Sequence, residues 1–357
     1  MNNTNSFQDK LDYFESINSG PLKIDPELIE KAYADQRNNQ SLAIKILVFI
    51  GAEMACQPFL AFLYITNLFE SKVGMLVGGI VLYIGSLVLN KLTNQIFLDS
   101  ISVCMFLLAL FMLGFSTDQF GLSFNSLALL IAILSISSII ITRSYILNFT
   151  ALLIAIWGIY ASMAGRIPED YLFILVILLG LMAVFFLLNE ARLIHLSEGM
   201  AARYLPLRTA LTLAFIGSLI AATAGDLFFT SMTFKLVSSG IFIVLTIVIL
   251  FNLLKNQDYR SDSFRYLTLA IIAISLSLTS VSPAISGCLL IGLICFQVNY
   301  KTGYILALAG FLYCLGQFYY DLSISLLWKS VIMMASGALY LLIYLLNNKK
   351  LKNHENI

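Results

Sequence analysis

Charge is what this chain has least of. Only 11% of its 357 residues are Asp, Glu, Lys or Arg, against about 25% in an ordinary soluble domain. Each scarcity excludes something. No basic domain exists to coat a nucleic acid. The two histidines, His195 and His354, both lie outside the apolar stretches, so buried imidazole acid–base chemistry has no residue to use. All five cysteines (Cys56, Cys104, Cys288, Cys295 and Cys314) fall inside apolar stretches. A thiol there is a small hydrophobe, and no spacing matches a zinc site. No metal, cofactor or structural disulfide is expected.

What is abundant is apolar. Hydrophobic residues make up 59% of the chain. They gather into twelve stretches at 43–68, 73–90, 96–115, 122–142, 145–164, 170–189, 207–228, 235–254, 264–280, 283–299, 302–320 and 323–346. A helix needs ~20 mostly apolar residues to cross a bilayer. The expected fold is therefore an all-α polytopic transmembrane helix bundle of about twelve spans with short loops. A polar segment at 1–41 precedes the bundle at 42–346, and a basic tail at 347–357 follows it. The first segment holds Pro21 and Pro26 and lacks the basic-then-apolar order of a cleavable signal peptide. The first span is the expected targeting signal.

Basic residues orient the bundle. With twelve spans, 17 of the 21 Lys and Arg residues share the side of the N-terminus, and only Lys72, Arg166, Lys235 and Lys329 fall opposite. Cytoplasmic loops hold the basic excess, so both termini are expected to be cytoplasmic. The weakest division is Thr279-Ser280-Val281-Ser282-Pro283, where a single broken helix would give eleven spans. A linker at 189–208 divides the chain six plus six, as in many secondary transporters. Arg192, His195 and Glu198 within it share a face if it is helical, and that face reads as solvated. In the N-terminal segment, Leu11, Phe14 and Ile17, then Leu28, Ile29, Ala32 and Tyr33, suggest two short amphipathic helices. Such a segment caps the membrane face or docks a protein partner; otherwise the expected partner is membrane lipid.

Ionisable groups inside spans are functional candidates by default. Glu53 lies well inside the first span, with Gln57 one turn further on, and Pro58 removes a backbone hydrogen bond beside them. An acid, an amide and a freed carbonyl there suit a bound cation or a proton relay; a protonated, hydrogen-bonded Glu is the plainer reading. Lys329 stands in the outward half of the last span. It either snorkels outward or pairs with Asp226, Asp321 or Glu53. Asp226 near an outer helix end, and Asp99 in the first turn of the third span, are explained by helix termini alone. Gly74, Gly78, Gly79 and Gly85 permit close helix packing. Tyr319-Tyr320 suit an interfacial anchor.

The C-terminal region carries a family likeness. Tyr319-Tyr320-Asp321-Leu322, Ser325-Leu326-Leu327-Trp328-Lys329-Ser330 and then Gly337 resemble the signature of domain-of-unknown-function family 4401. Gly51-Ala52 is similar too, but Glu53 stands where that pattern has an aromatic residue, so the resemblance lends Glu53 no shared role. The likeness implies a bacterial multi-pass protein of the cytoplasmic (inner) membrane, and no activity. Two functions compete: a small-molecule or ion transporter, and a non-catalytic scaffold or assembly factor acting through protein partners. A membrane enzyme fits poorly, because no catalytic set and no sizeable outer loop are present.

Overall fold

Short polar turns and long apolar runs set the architecture. The structure is a computed structural model that describes residues 51, 54, 57–58, 61–67, 70–92, 96–166, 172–223, 232–256 and 276–321, with scattered positions between 327 and 341. The helices are α1 (Lys72–Leu92), α2 (Ile96–Gln119), α3 (Phe124–Ile141), α4 (Tyr145–Met163), α5 (Leu172–Leu188), α6 (Glu190–Leu196), α7 (Glu198–Thr223), α8 (Met232–Asn256), α9 (Pro283–Gln297) and α10 (Lys301–Asp321). Among the described residues there is no strand.

Local chemistry starts and stops these helices. Ser123 and Ser144 cap α3 and α4, accepting from the Ser126 and Leu147 backbone N–H groups. Pro283 opens α9, where its missing N–H costs nothing. The short turns between α3 and α4 and between α9 and α10 fold each pair into a packed hairpin, and α1 packs along α2 in the same way.

The surface is the inverse of a soluble protein's. Large apolar side chains such as Ile133, Val244 and Ile305 are more than half exposed, which in water would be a costly patch. Seven helices have the length and composition to cross a membrane, or eight if the bent α5–α6 pair counts as one span. The protein is therefore a multi-pass membrane protein. Nine of the twelve expected stretches coincide with α1–α5 and α7–α10. Most of 43–68, 264–280 and 323–346 lies outside the described residues, as do the segment 1–41 and the tail 347–357. The doubtful division at 279–283 is a break in the helix: Leu278–Val281 is a single 3₁₀ turn and Ser282 is extended before α9 begins.

One boundary differs from expectation. The stretch 189–208, expected as a linker, is helical. The chain bends by 82° at Asn189, runs as α6, and re-enters a long α7 at Glu198. α7 continues through Pro206, which leaves the Ala202 carbonyl without its usual helical donor. Charged residues mark this segment as a linker in the sequence, with its helicity left open. Two of them, Arg203 and Arg208, instead find partners in the protein.

Because lipid is as apolar as leucine, helices in a bilayer hold together by close contact rather than by exclusion of water. α1 approaches α2 through Gly78, Gly79 and Gly85. A Cβ on Gly79 would stand 2.7 Å from Leu113 Cγ, and one on Gly78 2.6 Å from Met112 Cε. These glycines thus serve internal packing. α7 is the hub and packs on α4, α5, α9 and α10. Phe215 at its centre is fully buried and meets Phe242 of α8 edge-on, with ring centroids 5.5 Å apart. Buried hydroxyls bond back to their own helix: Ser218 donates to the Phe215 carbonyl and Thr246 to that of Phe242. This satisfies them without water.

Candidate functional site

Polar side chains concentrate at one end of the helices, where α3 ends, α4 begins, α5 turns into α6 and α7 enters. Arg208 is the centre. Its Nη1 donates to Glu190 Oε2 at 3.1 Å, and the two side chains are 12% and 36% exposed. Its guanidinium carbon lies 4.1 Å from the Tyr300 ring centroid and 5.3 Å from that of Tyr204. The cation is thus framed by two π faces and neutralised by one carboxylate. Its Nε–H is buried with no hydrogen-bond partner among the described residues.

Four elements build this geometry. The bend after α5 swings Glu190 over the entry of α7. Tyr204 and Arg208 stand one turn apart on α7 and therefore share a face. The Tyr204 hydroxyl is anchored on the Phe186 carbonyl at 2.9 Å. The tight turn before α10, with Asn299 at φ 56°, delivers Tyr300. Thr209 then collects two phenols. Tyr300 donates to its Oγ1 at 3.1 Å and Tyr145 of α4 at 3.3 Å, while Thr209 donates to the Leu205 carbonyl. Burial pushes the Tyr300 hydroxyl above the ordinary phenol range, against the Thr209 hydrogen bond and the Arg208 charge. It remains the neutral donor.

A second layer holds this end together. Arg203 donates from Nε to the Thr142 carbonyl at 2.8 Å and from Nη2 to the Ile140 carbonyl at 2.6 Å. A cation there complements the α3 C-terminus and satisfies its last carbonyls. Asn90 donates to Asp99 at 2.9 Å, tying α1 to α2. Asp99 therefore joins two helices as well as opening one. Arg203→Ala is expected to cost about 1.5 kcal/mol, the value of a charge-assisted fork to carbonyls that are partly exposed. Arg203→Lys should recover part of it, since one ammonium cannot bridge both carbonyls as the fork does. A detergent thermal-unfolding series reads both, and equal melting points for all three proteins would remove the cap.

The expected site residues fare differently. Glu53, Asp226 and Lys329 lie outside the described residues. Asp321 ends α10 and its side chain is not described. Gln57 and Pro58 are helical and exposed. Tyr319 and Tyr320 stack edge to face at 5.9 Å, with Tyr320 open at the helix end. Arg192 and His195 are exposed on α6. Among the described residues no group of His, Cys, Asp and Glu is placed to hold a metal, and Cys104, Cys288, Cys295 and Cys314 are buried thiols that form no disulfide. Two of the four basic residues expected on the far side have local partners: Lys72 donates to the Gln119 carbonyl, and Arg166 to Ser123 and Ser126. The Arg208 cluster itself escaped the sequence reading. Its one local signal was Tyr204 preceding Arg208 by a helical turn.

No curated protein and no solved structure matches this chain. A family model does, across residues 41–350 of 357. That range takes in every described helix and the signature around Tyr319 to Gly337, and the chain therefore belongs to the family defined by domain of unknown function DUF4401.

Proposed function

We propose that this protein is a small-molecule transporter of a bacterial cytoplasmic membrane. In this reading it has twelve spans and both termini inside, and its Arg208–Glu190 pair handles a small anionic solute. The carrying observation is the pair itself. A guanidinium 12% exposed has one carboxylate partner that is 36% exposed, and an Nε–H with no partner among the described residues. Such an arginine has hydrogen-bonding capacity left for a carboxylate or phosphate. Glu190 can release it by taking a proton, which would couple anion entry to proton entry. The orientation rests on the 17 of 21 basic residues that twelve spans gather on one side. The Arg208 end then faces the cytoplasm. Glu53, Asp226 and Lys329 are the proposed groups for steps deeper in the membrane. No catalytic role is assigned to any residue.

The test is uptake of labelled inorganic phosphate and of succinate into proteoliposomes under an imposed pH gradient. Arg208→Gln is expected to abolish uptake. Glu190→Gln should leave solute exchange but remove its dependence on the gradient. Arg192→Gln, on exposed α6, should change nothing. Flux in Arg208→Gln equal to the starting protein would sink the assignment.

A second reading, a non-catalytic scaffold, is favoured by the hydroxyls that bond back to their own helices around Phe215. It expects no flux of either probe, and protein partners held through residues 1–41.

A further inference from the structure

Thr209 uses its whole hydrogen-bonding capacity. A hydroxyl donates once and accepts twice. Thr209 donates to the Leu205 carbonyl at 2.9 Å, so its oxygen can only accept from other groups. Tyr300 fills one acceptor position at 3.1 Å and Tyr145 the other at 3.3 Å. The accounting fixes the protons. With the Thr209 proton spent on its own helix, both phenols are the donors in these bonds.

The two phenols are not equivalent. Tyr145 is 48% exposed at the start of α4, where water can stand in for Thr209. Tyr300 is only 9% exposed. Its backbone is fixed by the end of α9. Asn299 is left-handed and donates its N–H to the Phe296 carbonyl, and the Tyr300 N–H donates to the Cys295 carbonyl at 2.8 Å. This is a Schellman stop with asparagine in the left-handed position. The turn therefore sets the root of the Tyr300 side chain, and Thr209 sets its tip. Between them the ring meets the Arg208 guanidinium, 4.1 Å from its centroid. Arg208 and Thr209 are neighbours in α7 and point about 100° apart around the helix. The first receives the ring and the second its hydroxyl.

We propose that Thr209 is the positioning residue of the anion site: its hydroxyl holds Tyr300 against Arg208, and through that contact sets the affinity of the guanidinium for a solute. This rests on the transport reading of Arg208 given above. A ring held there restrains the guanidinium, so less side-chain freedom is lost when an anion binds. Both phenolic protons are committed to Thr209. Of Arg208, Tyr145 and Tyr300, only Arg208 then has a donor to spare for the solute.

Thr209→Val is the direct test, because valine keeps the branched shape and removes the oxygen. Tyr145 then bonds to water, whereas the buried Tyr300 hydroxyl must turn away to find another partner. Fluorine NMR of the full chain labelled with fluorotyrosine reads the ring, with the Tyr300 and Tyr145 signals identified by their loss in Tyr300→Phe and Tyr145→Phe. Uptake of labelled phosphate and succinate into proteoliposomes reads the site. Thr209→Val should shift the Tyr300 signal and raise the apparent KM about fivefold, the worth of one hydrogen bond, at unchanged maximal rate. Thr209→Ser should restore both. Tyr300→Phe should raise KM equally, and combining it with Thr209→Val should add nothing, since both remove the same bond. Tyr145→Phe should leave KM unchanged. A Tyr300 signal or a KM that stays in place in Thr209→Val overturns the proposal. So do KM effects that simply add in the double variant, and so does a Thr209→Ser protein that behaves like Thr209→Val. No uptake by the starting protein, with the Tyr300 signal moving as expected, overturns the transport reading alone and leaves Thr209 as the residue that holds Tyr300 on Arg208.

Discussion

Phe215→Ala is expected to lower the unfolding free energy by about 3 kcal/mol, at the low end of the range for a large aromatic cut from a packed core. The low end follows from the solvent. In water, truncation loses a transfer term and opens a cavity; in a bilayer the transfer term nearly vanishes, because the unpacked ring would meet hydrocarbon anyway. What remains is lost contact. Phe215 is fully buried and has much to lose. It meets Phe242 edge-on at 5.5 Å. Its ring also lies where a Cβ on Gly180 of α5 or Gly287 of α9 would intrude. One side chain thus joins four helices. A soluble protein would be similarly sensitive at this position, so the discriminating partner is Phe185→Ala. Phe185 is 50% exposed on the outer face of α5, where lipid replaces whatever is removed, and its loss should cost under about 0.5 kcal/mol. A reversible SDS titration in mixed micelles measures both. Comparable losses at Phe215 and Phe185 would mean that burial in this bundle does not set its stability.

That contrast explains which parts of the protein were readable in advance. Spans are a local property: run length and composition decide them, and nine stretches coincide with helices for that reason. The start of α7 is not local. Arg203 and Arg208 mark residues 189–208 as a polar linker between the two halves, and the sequence leaves open whether it is helical. Their charge is met inside the fold by the Ile140 and Thr142 carbonyls and by Glu190. Only tertiary contacts 18 to 63 residues away in sequence make a helix there tolerable. The candidate site fails to show itself for the same reason. Tyr204 and Arg208 are a turn apart and visible together, but Tyr300 arrives from the far end of α9, and Glu190 from beyond an 82° bend. Among charges deep in the expected spans, Glu53 and Lys329 stand out in the sequence. The charge that the described structure brings together stands at one edge of the bundle, where α4, α6 and α7 meet the turn between α9 and α10.

Gly303→Ala is the matching test of that edge, with an expected cost of about 3 kcal/mol: overpacking plus the loss of what Tyr300 contributes. Gly303 is buried in the first turn of α10. A methyl group on it would overlap the Tyr300 ring and stand 2.7 Å from Cys295 Sγ. The ring cannot retreat cheaply, because Arg208 lies 4.1 Å from its centroid and its hydroxyl is tied to Thr209. The substitution must therefore push Tyr300 off Arg208 or lift α10 from α9. A double-mutant cycle separates the site from simple crowding. Tyr300→Ala alone loses the stacking and the hydrogen bond. Adding Gly303→Ala to it should cost much less than the same change costs alone, since the ring that clashed is gone and only the sulfur contact remains. Strictly additive losses would show that Gly303 crowds something other than Tyr300. A strong negative coupling would show that the glycine is there to let Tyr300 lie on the guanidinium. Arg208 is then held by a turn built for it, and the half-buried Glu190 is the one partner that can leave without dismantling the bundle.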